Sequence, residues 1–323
     1  MFSDPFCTCL SIAQILNRAT SWLKHAVKLF LSGFSGMLPP VDTKNPAAVA
    51  ALARQTFQRL FPEAAPTLLE PAFHGVELLF TGRHPDYQAI DLRYHDYEHT
   101  LQAVVCLTVL LEAAQRSGEV EPLSPRQFEL AIAAALLHDA GYLKSRSDAD
   151  GTGAKYTLTH VLRSCAFAAS YLPTLGVNER EIASVLSAIN CTGPNNEIGR
   201  LQFDQPIDYF IGCALATADL LGQMSAPDYP QKLEVLFGEF HESDNFVAMP
   251  RDRRRFKSPQ DLVLKTPYFW TKVIRPRLDS EFKKVYRFLA VPYPDGPNAY
   301  LDAVERNIAI VREHTEKKDR SPG

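Results

Sequence analysis

The stretch Ala131-Ile132-Ala133-Ala134-Ala135-Leu136-Leu137-His138-Asp139 decides how the fold is read. An unbroken apolar run ends in a histidine and a carboxylate. The residues ahead of it specify a helix: Ser124-Pro125-Arg126-Gln127 is a capping box with proline at the first helical position. That helix places Phe128, Ala131, Ile132, Ala135, Leu136 and Asp139 on one side, and Gly141 is expected to end it. Charged groups avoid cores unless they are paired or metal-bound, so a His-Asp pair at the end of such a helix requires a partner.

Two other places in the chain supply candidates. His95 and His99 are four residues apart, which on a helix puts both on one face, one turn apart. His99 also continues the stripe Ala103, Leu107, Leu110 and Ala114, so its imidazole is expected to point inward. Downstream, Asp219 interrupts the apolar stretch Phe210 to Ala218, where an isolated buried carboxylate costs several kcal/mol without a partner. Taken singly, each has an ordinary explanation as a satisfied core or surface residue. Taken together, on three helices, His99, His138, Asp139 and Asp219 point to a divalent metal ion.

Elsewhere the chain reads as helical almost throughout, with no alternating β-branched runs, fixed-period repeat or low-complexity block. Asn178 to Glu181 is a second capping signature, Thr266-Pro267 is expected to start a helix running toward Leu289, and a proline-rich loop from Pro292 to Pro297 precedes a last helix near Ala299 to Arg312. The expected fold is all-α, a multi-helix bundle around a metal site. Residues 1–38 form an amphipathic N-terminal helix and linker, 39–312 the main domain, and 313–323 a charged, frayed tail.

Composition narrows the function classes. The chain has 323 residues, 46% of them hydrophobic, so it can bury a large core. Its 34 basic and 37 acidic residues nearly cancel, which gives no strong nucleic-acid signal. Cys7 and Cys9 have no second pair at zinc-site spacing, and the other four cysteines lie in apolar or helical stretches, so a reducing, cytoplasmic setting is expected. Ile12, Ile15, Leu16, Ala19, Trp22, Leu23, Ala26, Val27, Phe30 and Leu31 form an apolar stripe. Arg18, Lys24 and Lys28 fall off that stripe but interrupt every long apolar run, which argues against a membrane span or a signal peptide and leaves packing on the domain, an oligomer contact or association with a membrane surface through residues 11–31.

The motifs Tyr94-His95-Asp96-Tyr97-Glu98-His99, Leu136-Leu137-His138-Asp139 and Ala216-Thr217-Ala218-Asp219-Leu220 resemble, in order and context, those of the HD superfamily of metal-dependent phosphohydrolases. Within it they are most similar to the all-helical catalytic domains of cyclic-nucleotide phosphodiesterases, over roughly residues 60 to 290. The resemblance implies that His99, His138, Asp139 and Asp219 hold the tight metal, that Asp139 bridges to a second ion, and that His95 is the general acid. Asp96 stands where that family has asparagine, Ala140-Gly141-Tyr142 is closer to bacterial HD proteins, and no purine-clamping glutamine is identifiable. His160 either lines the second metal site or faces solvent at the start of its helix.

Two histidines and two carboxylates suit zinc, manganese, magnesium or iron(II), as one ion or two. The expected substrate is a small phosphorylated, nucleotide-like molecule: a phosphodiester, possibly cyclic, or a nucleotide monoester. Lys144 and Arg146, in a Gly/Asp-rich loop, are candidate phosphate contacts, and that loop is a candidate lid. Arg251, Arg253, Arg254, Arg255 and Lys257 make the densest basic run, which either steers an anionic substrate, binds nucleic acid, or is a solvated or salt-bridged loop. Two further function classes stay open at this point: an HD-fold di-iron oxygenase, which metal analysis separates, and a catalytically silent nucleotide-binding regulatory module, which an ester-hydrolysis assay separates.

Overall fold

A computed structural model describes residues 37–319 of the chain. The apolar stripe at 12–31, with Cys7 and Cys9, lies outside the described residues. Ten α-helices account for most of the rest: α1 Pro46–Leu60, α2 Leu69–Phe80, α3 Tyr97–Ser117, α4 Pro125–Leu137, α5 His160–Tyr171, α6 Glu179–Cys191, α7 Pro206–Met224, α8 Tyr229–Phe246, α9 Pro259–Phe269 and α10 Ala299–Asp319. The described residues form no strand beyond two isolated bridges, Tyr87 with Ser145 and Ala290 with Asn298. The all-α expectation holds.

Both capping boxes form as their sequences require. Ser124 Oγ accepts from Gln127 N, while Gln127 Oε1 accepts from Ser124 N. Asn178 and Glu181 exchange the same pair of bonds at the start of α6. The central helices α3, α4 and α7 are buried over most of their circumference: α4 is buried from Phe128 to Leu137, and α7 from Ile211 to Ala218. A helix that is apolar all round belongs inside the protein. A core leucine such as Leu107 or Leu215, fully buried here, contributes about 1.5–3 kcal/mol by leaving water. A polar side chain on one of these helices therefore has to be satisfied within the protein or by a ligand.

The packing of α3 on α7 sets the site. A Cβ at Gly222 would lie 2.8 Å from the Gln102 carbonyl oxygen, so only glycine permits this approach. Gln102 is one turn beyond His99 and Gly222 is one turn beyond Asp219, so the close crossing brings those two side chains together. Gly141 acts similarly on the other side, since a Cβ there would sit 2.0 Å from the His160 carbonyl oxygen. Its amide donates to Ser164 Oγ at 2.8 Å, which holds the first turn of α5 against the chain that follows α4.

Four expectations need correction. Helix α4 stops at Leu137, before Gly141, and Ala140–Tyr142 form a short 3-10 segment with Asp139 as its N-cap, so Asp139 lies just off the helix end. His95 is not on α3; that helix begins at Tyr97, because Asp96 caps it by accepting from His99 N at 2.8 Å. Thr266-Pro267 starts nothing: α9 begins at Pro259, capped by Ser258 Oγ from Asp261 N, and carries Pro267 inside it before continuing as π-helical turns. The last helix runs through the charged residues to Asp319 rather than fraying from Glu313.

Candidate metal centre

Three elements deliver four side chains to one point. His99 comes from the first turn of α3, His138 and Asp139 from the end of α4, and Asp219 from the middle of α7. His99 Nε2 lies 3.2 Å from Asp139 Oδ2 and 3.1 Å from Asp219 Oδ1. His138 Nε2 lies 3.4 Å from each of the same two oxygens. His99, His138 and Asp139 are 1–3% exposed, and Asp219 is partly buried. The ligating atoms of His99, His138 and Asp139 all fall within 4.8 Å of one another, a grouping that can hold a metal ion.

Within the four, His99, His138 and Asp139 form the grouping that can hold an ion, and the edges measured are compatible with a metal shell. With donors about 2.1 Å from a metal, adjacent ones stand about 3.0 Å apart in an octahedron and about 3.4 Å apart in a tetrahedron. The four observed edges fall between 3.1 and 3.4 Å. His138 Nε2 and Asp139 Oδ2 are buried without a hydrogen-bond partner among the described residues. Meanwhile His138 Nδ1 is 2.7 Å from the Ala135 carbonyl oxygen, to which it donates, leaving the Nε2 lone pair aimed at the carboxylates. Unpaired buried polar atoms cost about 1–3 kcal/mol each, and a cation between them removes that cost.

Titration of the cluster carries the same signature. Burial opposes charge on the His99 ring, yet the carboxylates of Asp139 and Asp219 beside it outweigh that and raise the imidazole to about 10. His138 is raised too, with burial again outweighed by the two carboxylates. Burial also opposes charge on Asp139 and Asp219, but the imidazoles hold both below the usual carboxylate range, Asp139 well below it. The buried carboxylate of Asp139 and the partly buried one of Asp219 draw positive charge to this point, and a proton on the imidazoles is what the side chains alone provide.

Around this quartet lie two more histidines. His160, the first residue of α5, places Nε2 3.9 Å from Asp139 Oδ1, the oxygen turned away from His99 and His138. Its Nδ1 is bonded to the Thr157 carbonyl oxygen at 2.7 Å, so Nε2 faces the cluster rather than solvent. Burial lowers its pKa and favours the neutral ring, the form that ligates metal. His95, brought in by the loop before α3, has its ring 5.8 Å from that of His99.

Two residues absent from the expected set complete the neighbourhood. Glu239, on α8, bonds His95 Nδ1 through Oε2 at 2.6 Å, while its Oε1 accepts from Arg93 N at 3.1 Å and Tyr94 N at 2.7 Å. The sequence did carry a signal: Tyr229, Leu233, Leu236, Glu239 and Ser243 follow helical spacing, and a glutamate on that inward stripe needs a partner. Tyr142 lies against the rings of both His95 and His160, with centroids 4.8 and 4.6 Å away.

Lys144 and Arg146 serve the loop rather than the cluster. Lys144 is buried; its Nζ donates to the Gly151 carbonyl oxygen and pairs with Asp91 at 3.4 Å. Arg146 bonds the carbonyl oxygens of Gly82 and His84. The loop itself is tied down by Gly153 N to Asp91, by Thr152 to Glu242, and by Lys155 and Tyr156 to Asp148. In the basic run, Arg254 bonds Met249 O and Asn245, while Arg251 and Arg253 are exposed. Cys106, Cys165, Cys191 and Cys213 are buried free thiols. No helix among the described residues is long and apolar enough to cross a membrane.

The fold and site thus define an all-helical protein with a buried His/His/Asp grouping suited to a metal ion. A family model described as Npun_R2479-like matches residues 86–288, and the chain belongs to that family. The matched span contains every residue of the cluster together with His95, His160 and Glu239. A search of curated proteins found no match.

Proposed function

We propose that this chain is an HD-type phosphohydrolase: His99, His138, Asp139 and Asp219 hold a divalent metal, and the reaction is hydrolysis of a phosphoester. The observation that carries the reading is the quartet of two imidazole nitrogens and two carboxylate oxygens at 3.1–3.4 Å edges, buried and partly unsatisfied. The order of the motifs along the chain supports it independently. Asp139 has one oxygen toward the quartet and the other toward His160, so Asp139 and His160 are the residues that would hold a second ion.

When bound, the metal supplies a Lewis acid and lowers the pKa of its water toward neutrality. The chain's own residues do the rest. Asp139 and Asp219 supply the negative charge that retains the cation, and the apolar residues of α4 and α7 behind them keep competing water out. His95 is held through Nδ1 by Glu239, so its Nε2 is the nitrogen free to carry a proton to the leaving oxygen. Glu239 in turn is fixed by two backbone amides, which sets the orientation of the ring before substrate arrives. Tyr142 supports His95 from its face.

The test is hydrolysis of bis-p-nitrophenyl phosphate by the purified chain with added manganese. The proposal expects turnover that His138→Ala abolishes along with metal binding. No cleavage of any ester at full metal occupancy, with His138→Ala binding metal equally well, would refute it. Two irons per chain in metal analysis would move the reaction to the oxygenase class.

A further inference from the structure

The basic run and the helix that follows it carry two features that the metal centre does not use. From Arg251 to Val273 the chain holds seven basic residues against two acidic ones, Asp252 and Asp261, although its net charge over the whole length is -3. In the same stretch four large apolar side chains are exposed, Leu264, Tyr268, Phe269 and Val273, with Tyr268 66% open to solvent. Single exposed hydrophobic residues are ordinary, but this many so close together make a patch. Both features share one side of the protein. Helix α9 buries Leu262 and Thr266, and Trp270 just beyond it is buried too. At 3.6 residues per turn, Leu264, Lys265, Tyr268 and Phe269 fall on the outward half of the helix, and all four are exposed. Lys272 and Val273 extend that half on the π-helical turn Trp270–Ile274. The basic run folds back onto it: Lys265 Nζ bonds the Arg255 carbonyl oxygen at 3.2 Å and lies 5.6 Å from the centre of the Phe256 ring, and Lys257 N donates to Asp261 at 2.9 Å.

Most of these cations are available to a partner. Arg254 is tied to Met249 and Asn245, and Lys265 to Asp261. The side chains of Arg251, Arg253, Arg255, Lys257 and Lys272 are exposed and make no hydrogen bond or ion pair with the described residues. The run is therefore not a salt-bridged loop, and its charges stand in water beside an apolar patch. Nucleic acid would answer the charges but leave Leu264 and Val273 wet, because aliphatic side chains offer no ring for bases to stack on. An anionic lipid surface answers both. Leucine, valine and the aromatic rings enter the headgroup boundary, while lysine and arginine lay their methylenes along the apolar side chains and reach the lipid charges.

We propose that the face made by the basic run and the outward half of α9 docks on an anionic lipid surface. Leu264, Tyr268, Phe269 and Val273 insert at the level of the headgroups, and the unpaired arginines and lysines around them neutralise lipid charge. This docking is independent of the reaction assigned to the quartet, and it is measured without turnover.

The experiment is co-sedimentation of the full chain with vesicles of phosphatidylcholine, alone or with about a third phosphatidylserine. Wild type is compared with Arg251→Glu/Arg253→Glu, with Tyr268→Ser/Phe269→Ser and with Leu162→Ser, an exposed apolar residue on α5 that serves as a control. Wild type is expected to bind the serine-containing vesicles about tenfold or more tightly than phosphatidylcholine alone, and added salt is expected to weaken that binding. Each cation near an anionic surface strengthens binding about fivefold, so the charge-reversed pair should lose about tenfold or more. The serine pair is expected to lose about tenfold, and Leu162→Ser nothing. Misfolding would uncover core side chains and raise vesicle binding, so it does not imitate these losses. No binding of wild type to the serine-containing vesicles overturns the proposal, as does binding that neither double variant weakens, which would place the contact elsewhere in the chain. A loss confined to the charge-reversed pair, matched by an equal loss of binding to duplex DNA, also overturns it and assigns the face to nucleic acid.

Discussion

Two buried groups of charges lie close together along the chain and are built on opposite principles. In the loop from Lys144 to Tyr156 every buried charge has an opposite formal charge or a carbonyl as partner: Lys144 has Asp91 and Gly151, and Lys155 has Asp148 and Asp150. In the quartet two carboxylates face only imidazoles, which are neutral unless they take up protons, and three polar atoms, His99 Nδ1, His138 Nε2 and Asp139 Oδ2, are left without a hydrogen bond. The first group closes on itself and fixes a loop. The second is left open, a grouping that can hold a cation. A buried charge therefore marks a candidate site when its partners are titratable, and marks architecture when they are fixed.

That contrast can be broken most severely at the quartet. Asp139→Asn is expected to cut ester hydrolysis by more than ~10³-fold, because it removes the carboxylate shared by His99, His138 and His160. Steady-state turnover with saturating manganese measures it, and a loss under tenfold would put Asp139 among structural residues. Next is His95→Asn, expected to lower kcat by ~10²–10⁴ while metal content stays at the wild-type level. Glu239→Gln should cost less, about 10- to 100-fold, since the ring keeps a hydrogen bond but loses the charge that orients it.

The closed loop is expected to answer in stability instead. Asp148→Ala strands the buried Lys155 ammonium and should cost about 2–4 kcal/mol by urea titration, with kcat changed far less than in the quartet variants. Burial opposes charge on Asp148, but Lys155 and Tyr156 outweigh it and hold the carboxyl below its ordinary value of 3.8. The sign follows: this contribution is complete above the unfolded value and fades as pH falls through the lower folded one. Acid titration of wild type against Asp148→Asn should converge only below that ordinary value. The smallest effect is expected for Arg146→Ala, which loses two exposed bonds to Gly82 and His84, worth about 1 kcal/mol or less, and should leave turnover unchanged.

Much of the quartet was legible because each member breaks a local pattern. Asp219 interrupts an apolar helix, His138-Asp139 ends one, and His99 lies on an inward stripe; burial follows from those patterns without knowledge of the fold. The details that failed are those that competing local bonds decide. Asp96 accepts from His99 N, which starts α3 after His95 and turns a supposed same-face pair into a loop residue beside a helix. Lys144 and Arg146 looked available for phosphate because a sequence does not display backbone carbonyls, and it is Gly151, Gly82 and His84 that engage them. At α9 the Thr266-Pro267 pair suggested a start, whereas Ser258 capping Asp261 N had already begun the helix. Glu239 was readable from its stripe, but its partner His95, far away in sequence, was not.

The quartet's claim on a cation is tested most directly by titrating the metal-free full chain with manganese in a calorimeter, beside Asp219→Asn and His95→Asn. Tight binding of at least one ion per chain, lost or greatly weakened in Asp219→Asn and retained in His95→Asn, is the predicted result. Equal binding in all three proteins, or none in the wild type, would contradict it.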